Sequence, residues 1–263
     1  MSSKDGGSTS FTPRYSSLSR ISKILIIIVT VGIIYDVVSL WSLSSLPVDL
    51  QKIIIDQFEG TEVSSPTSTE ILSSFWFPIW LVSVIFFLYW FYNAYENLSS
   101  FGTIGLRSTP GRAVIYWFVP IIQLWKPYKA MQEIWKASNP NIHTSNNQEW
   151  HRNKRSYTIL VWWIIFWLSI FVGLLIAPIM FLISFIGNMI QLTETEVNFD
   201  SNNLSSDNLT LITSLVVVRS IESIIPSLLI SSILSMIGTI ILIFIILDIK
   251  TKQEKKYKNM LSS

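Results

Sequence analysis

The chain contains no cysteine, so no disulfide can staple it and no thiolate is present to ligate a metal or act as a nucleophile. It is also poor in charge. Only 14% of its 263 residues are Asp, Glu, Lys or Arg, against roughly 25% in a soluble globular domain. The net charge of +2 is too small to make a nucleic-acid-binding surface. A composition that is 50% apolar excludes a disordered chain. The apolar residues are gathered into long runs, and those runs decide the class.

A helix needs about 20 apolar residues to cross roughly 30 Å of hydrocarbon. Four segments qualify, at about 24–46, 71–95, 157–190 and 224–247. The first carries one charge, Asp36, and the second and fourth carry none. The third is interrupted only by residues such as Gly173, Pro178, Gly187 and Asn188. The first run is longer than a signal-peptide core and no A-x-A site follows it, so it reads as a span. A fifth run, Ala113–Trp125, is short and contains Pro120, which suits an interfacial or re-entrant segment better than a crossing.

Charge sorting supports four spans. With an inner N-terminus, 17 of the 19 Lys and Arg residues fall on the inner side, leaving only Lys52 and Arg219. Ten of the 17 acids fall outside, between Asp49 and Glu70 and between Glu194 and Glu222. Letting Ala113–Trp125 cross would move much of the basic central loop outside, which rejects that alternative. The expected location is the cell membrane, multi-pass, with cytoplasmic N- and C-termini. Residues 1–20, rich in Ser, Gly and Lys, read as a disordered cytoplasmic tail, 21–249 as the membrane domain, and 250–263 as a basic, solvated helix end. Trp76, Trp80, Trp90, Phe91, Tyr92, Tyr95, Tyr157, Trp162 and Trp163 lie near span ends and read as interface belts.

The stretch between spans two and three, 110–138, is the most specific. It contains WFVPIIQLWKPYKAMQEIWKAS, residues 117–138. This string resembles the integral-membrane family catalogued as domain of unknown function 4328. That pattern has an aromatic pair before Val-Pro, then Leu-Trp-x-Pro-Tyr, then a Glu-x-Trp helix. Gln123 and Asn93 depart from it, since members commonly have Asn and Arg there. The resemblance implies a four-span membrane protein of unassigned activity and transfers no catalytic residue.

The same stretch can be read without the family. Pro127 suits a first helical turn, where its missing N–H costs nothing. At about 100° per residue, Leu124, Tyr128, Met131 and Trp135 share one side. Lys126, Lys129, Glu133 and Lys136 share the other. That is an amphipathic interfacial helix, basic and rich in aromatics. Trp117, Trp125, Lys126, Tyr128, Lys129, Trp135 and Lys136 form its candidate lipid or partner face. The competing reading is a plug packed under the bundle.

Asp36 lies deep in a span, where a charge costs about 2.5–3.5 kcal/mol on insertion scales and is a functional candidate by default. Gly32, Asp36 and Ser39 share a face, and Asn93 and Asn188 are candidate hydrogen-bond partners. Ser223, Ser227, Ser231, Ser235 and Thr239 form a ladder of small residues suited to close helix packing, against another span or a second copy. His143 and His151 lie in a polar loop with no Cys or paired acid nearby, a weak metal signal. Asn203-Leu204-Ser205 and Asn208-Leu209-Thr210 are glycosylation sequons. No nucleophile motif, phosphate loop or dinucleotide fingerprint occurs.

The sequence therefore predicts an all-α, polytopic membrane protein with four transmembrane helices and a cytoplasmic interfacial or re-entrant amphipathic segment. The predicted function is a non-enzymatic module contacting lipid or protein at the cytoplasmic face. No cofactor, metal or nucleic acid is expected. The expected partners are the bilayer, anionic lipids included, and a second copy or another membrane protein. The alternatives are a small transporter or channel subunit using Asp36 and, last, a membrane enzyme.

Overall fold

A computed structural model describes the backbone of residues 15–58, 74–141, 149–196 and 206–262, and the side chains of these except 42–58, 149, 192–196 and 206–212. The regular structure described is all helical. In chain order it comprises α1 (Ser19–Phe58), α2 (Trp76–Ser100), α3 (Pro110–Ile115), α4 (Pro120–Gln123), α5 (Lys126–Ala137), α6 (Tyr157–Phe171), α7 (Ala177–Glu196) and α8 (Ser206–Leu261). Among the described residues, four helices are long and apolar enough to cross a membrane: the start of α1, α2, the continuous α6–α7 rod and α8. The chain is thus an all-α membrane protein, as the four apolar runs predict.

The helices outrun their apolar stretches. At 1.5 Å per residue, the 40 residues of α1 and the 56 of α8 extend about 60 and 84 Å, well beyond a 30 Å hydrocarbon layer. The α6–α7 rod contains one wide turn, a π-helical segment at Val172–Ile176. It lies where Pro178 removes an N–H from the helical ladder and its ring crowds the carbonyl four residues back.

Local signals set the helix ends. α2 closes on Gly102, at φ 66°, with Gly102 N–H donating to Ser99 O (2.9 Å) and Thr103 N–H to Leu98 O (3.1 Å). This is a Schellman cap, which needs a left-handed residue at that position. Thr109 caps α3, its hydroxyl accepting from Arg112 N–H, and Pro110 fills the first turn. Pro120 and Pro127 open α4 and α5 in the same way. The Ala113–Trp125 run is therefore split into helices of six and four residues, neither long enough to cross.

The chain divides into two compact units. The first is Met1–Ile26, Val84–Leu160 and Ile243–Ser263; the second is Ile27–Ser83 and Val161–Leu242. Among the described residues, the largest fully buried side chains all belong to the first unit, Trp90, Tyr95, Phe91, Phe101, Met131, Ile134 and Ile246 among them. The second unit leaves many large apolar side chains uncovered, including Ile27, Trp41, Leu174 and Ile183. Such surface is stable only against hydrocarbon or another apolar partner. Every described Lys and Arg except Lys52 and Arg219 lies in the first unit.

Three expectations need correction. Trp90, Phe91, Tyr95, Trp162 and Trp163 are not interface belts: all are buried in the protein, the first three completely. Enough helix and loop surrounds them to bury rings that would otherwise sit at a headgroup boundary. Residues 15–20 are ordered, with Leu18 fully buried and Ser16 hydrogen-bonded to Asn97 through N–H to Oδ1 (2.9 Å). Residues 1–14 of that tail lie outside the described residues. The helix end after Lys250 is not simply solvated, since Gln253 and Lys256 are buried.

Candidate functional site

α5 is the centre of the first unit. Its buried residues are Pro127, Ala130, Met131, Gln132, Glu133, Ile134 and Ala137. The helix is amphipathic, but its buried stripe is rotated from the side predicted by sequence. Leu124 is exposed, Tyr128 and Trp135 are half-buried, and Glu133, expected on the polar side, is buried. The cause is a polar partner. Tyr95 Oη donates to Glu133 Oε2 (2.7 Å), and Arg107 Nε lies 3.4 Å from Glu133 Oε1. Burial holds the Glu133 carboxyl above its ordinary range, although Tyr95 and Arg107 pull it back.

Around α5, side-chain amides add polar ties to the apolar packing. Gln253 Nε2 donates to Ala94 O (2.9 Å) and Ser138 Oγ (3.0 Å), and Gln253 Oε1 accepts from Asn97 Nδ2 (2.9 Å). Asn97 Nδ2 also reaches Ser16 O (2.8 Å). Lys256 Nζ donates to Ala137 O (2.8 Å), satisfying a carbonyl at the C-terminus of α5. Gln132 holds Ser156 at both its N–H (2.9 Å) and its carbonyl (2.8 Å). Trp135 Nε1 donates to Asp248 Oδ2 (2.6 Å), and Lys252 lies 3.8 Å from the centre of the Trp135 ring. This candidate lipid-facing Trp is thus held by α8. One side of α5 is thus packed against the protein of the first unit.

The segment before α5 behaves differently. Trp117 stands edge-on to Phe87 (5.2 Å between ring centres) and Phe91 (5.9 Å), which anchors it on α2. Its neighbours face away from the protein: Ile115 is 57% exposed, Phe118 66% and Ile121 70%. Leu124 and Trp125 are exposed as well. Lys126 follows them, half-buried beside the Tyr116 ring (5.5 Å), and Lys129 is exposed.

The model of a domain of unknown function (DUF4328) matches residues 62–224. The chain belongs to this family. The match spans α2 to α7 and the beginning of α8 and includes the 117–138 string, while α1 lies outside it. No curated protein and no solved structure matches the chain. Of the two departures from the family pattern in this DUF4328 protein, Gln123 is half-buried at the end of α4. Asn93 is buried and donates to Tyr89 O (2.7 Å).

The remaining candidates in the DUF4328 chain are not brought together. Asp36 is half-buried in α1, with no hydrogen bond or ion pair to any described residue. Asn188 donates to Ser184 Oγ (3.3 Å) and Ser220 Oγ (3.4 Å), and Asn93 belongs to the other unit. Of the ladder, Ser231 Oγ donates to Ser169 O (3.0 Å) and Ser223 Oγ reaches Met180 O (3.4 Å). Ser227 and Thr239 bond their own helix, to Ile224 O (2.7 Å) and Ser235 O (2.9 Å). A Cβ on Gly173 would sit 2.9 Å from Ser231 Oγ, and one on Gly238 3.3 Å from Ile165 Cγ2. Small residues on α8 and in the α6–α7 rod thus permit close approach. His151 stacks on Trp150 (3.7 Å). His143, the sequon residues Asn203–Ser205 and the side chains of Asn208–Thr210 lie outside the described residues.

Sequence reasoning missed Gln253, Tyr95, Arg107 and Asp248. Each meets its partner across 26 to 156 residues of chain, and only the presence of a polar residue beside an apolar run hinted at them.

Proposed function

We propose that this DUF4328 protein is a non-enzymatic membrane module of the cell membrane whose 110–125 segment lies in the cytoplasmic headgroup layer and contacts lipid there. One observation carries the reading. Ile115, Phe118, Ile121, Leu124 and Trp125 are each exposed in one short stretch outside the four long helices, just ahead of Lys126 and Lys129 in the chain. Apolar side chains next to lysines suit the boundary between acyl chains and anionic headgroups. Enrichment of Lys and Arg in the unit that holds this segment supports a cytoplasmic orientation.

The absence of native cysteine makes the test direct. A nitroxide is attached to Phe118→Cys or Ile121→Cys in the full chain, reconstituted in lipid nanodiscs. Collision rates with oxygen should exceed those with a water-soluble nickel chelate. Lys258→Cys should show the opposite. Nickel-dominated collisions at residues 118 and 121 would overturn the reading.

A further inference from the structure

Three separated segments that carry three cations are tied together in the first unit. Arg107 lies in the loop after α2, Lys136 in the last turn of α5, and Arg155 just before α6. Four tethers hold these segments. Arg107 Nε is fixed 3.4 Å from the buried Glu133 carboxylate, one turn before Lys136. The Lys136 carbonyl accepts from Asn153 Nδ2 (3.1 Å), two residues before Arg155. Gln132 grips Ser156 on the other side of Arg155. Trp150 Nε1 donates to Ile104 O (2.9 Å), tying the Arg155 segment back to the loop that bears Arg107. That loop turns at Gly105, at φ 78°, where a Cβ would press on His151 Nε2 at 3.2 Å. Both the turn and the contact call for glycine.

The tethers fix the backbone, while the Arg107 and Arg155 side chains stay exposed and Lys136 is half-buried. The Arg107 side chain is 66% exposed; with Nε directed at Glu133, its terminal amino groups remain available. Arg155 is exposed, and among the described residues neither it nor Lys136 pairs with a carboxylate. Burial and the charges of Arg155 and Arg107 hold the Lys136 ammonium below its usual value. Three clustered cations face only the one carboxylate of Glu133 among the described residues, and the uncompensated positive charge costs free energy that an anion from outside recovers. Two guanidinium groups and an ammonium match the several oxygens of a phosphate better than a single carboxylate.

We propose that Arg107, Lys136 and Arg155 form a binding site for a phosphate group, as carried by an anionic phospholipid headgroup or by free phosphate. The proposal deepens the lipid-contact reading, yet uses residues outside the exposed 115–125 surface.

The test uses the full chain in neutral detergent. Native mass spectrometry counts retained phosphatidylglycerol, with phosphatidylcholine as control, and inorganic phosphate is titrated in parallel by thermal shift. Retention of phosphatidylglycerol over phosphatidylcholine identifies a headgroup site; a shift with inorganic phosphate alone identifies a free-phosphate site. In either case Arg107→Gln, Lys136→Gln and Arg155→Gln should each weaken binding by about tenfold, the loss of one charge-assisted contact. Lys255→Gln should leave it unchanged. Melting of each variant without ligand reports whether it is folded. Failure of both probes to bind, or equal binding by the folded triple variant, would overturn the proposal. The nitroxide depths at residues 118 and 121 test the lipid-contact reading separately, because neither residue belongs to the cation cluster.

Discussion

The phenol of Tyr95 donates a 2.7 Å hydrogen bond to the carboxylate of Glu133, joining α2 to α5 inside the first unit. Both residues are buried, and Arg107 approaches the second carboxylate oxygen. Once Glu133 has these partners it turns inward, and the face of α5 turns with it.

The first prediction concerns pH. The folded state holds the Glu133 proton more tightly than the unfolded chain, because its carboxyl is raised by burial. Its contribution is therefore full below the ordinary carboxylate value, and stability falls as pH rises through the raised one. Glu133→Gln, which keeps an acceptor for Tyr95, should remove that part of the pH dependence and melt no lower than the parent near neutrality. Glu133→Ala should cost about 1–3 kcal/mol by stranding the Tyr95 hydroxyl. Melting curves in detergent from about pH 4 to 8 check both. An identical pH profile for parent and Glu133→Gln would sink the assignment.

A second prediction tests helix contact in the second unit. Gly173→Ala should destabilise by about 1–3 kcal/mol, because its Cβ meets Ser231 Oγ at 2.9 Å. Ser231→Ala removes that oxygen and leaves Ser231 Cβ at 3.7 Å, an ordinary contact. The double variant should thus be more stable than the sum of the single losses implies. A double-mutant cycle measured in mixed micelles reads the coupling. Strict additivity would mean that the two residues do not touch.

The third prediction separates a membrane module from a transporter. Asp36→Asn keeps a donor and an acceptor at the same place. The lipid-contact reading expects normal expression, an unchanged melting temperature and no altered ion flux in proteoliposomes. Flux present in the parent and lost in the variant would decide for the transporter.

Topology supplies the fourth. Reporters inserted near Asn146 and fused after Ser263 should read cytoplasmic, and reporters near Ser65 or Asn203 external. An external reading at Asn146 would reverse the orientation assigned to the basic unit.

The four long helices were legible in the sequence because crossing hydrocarbon is a matter of length and composition, which 24–46 or 224–247 display without reference to anything else. Pro127 likewise announced α5, since a proline at a first turn is a local signal. The orientation of α5 was not legible. Its side chains offered Tyr128 and Trp135 as apolar and Glu133 as polar, and only the distant hydroxyl of Tyr95 reverses that order. The aromatic residues failed for a related reason: a Trp near a span end reads the same whether lipid or protein surrounds it, and Trp90 is surrounded by protein. The phosphate site was invisible because Arg107, Lys136 and Arg155 are spread over 49 positions of sequence and meet only through the tethers between their segments.

The Gln253 contacts also impose an order in time. Ala94, Asn97 and Ser138 leave the ribosome long before the residue that joins them, so the early spans enter the membrane before Gln253 can bridge them. Closure of the first unit waits for the last turns of α8. Until then the half-made protein exposes an open polar seam, the state in which a quality-control protease would most readily find it.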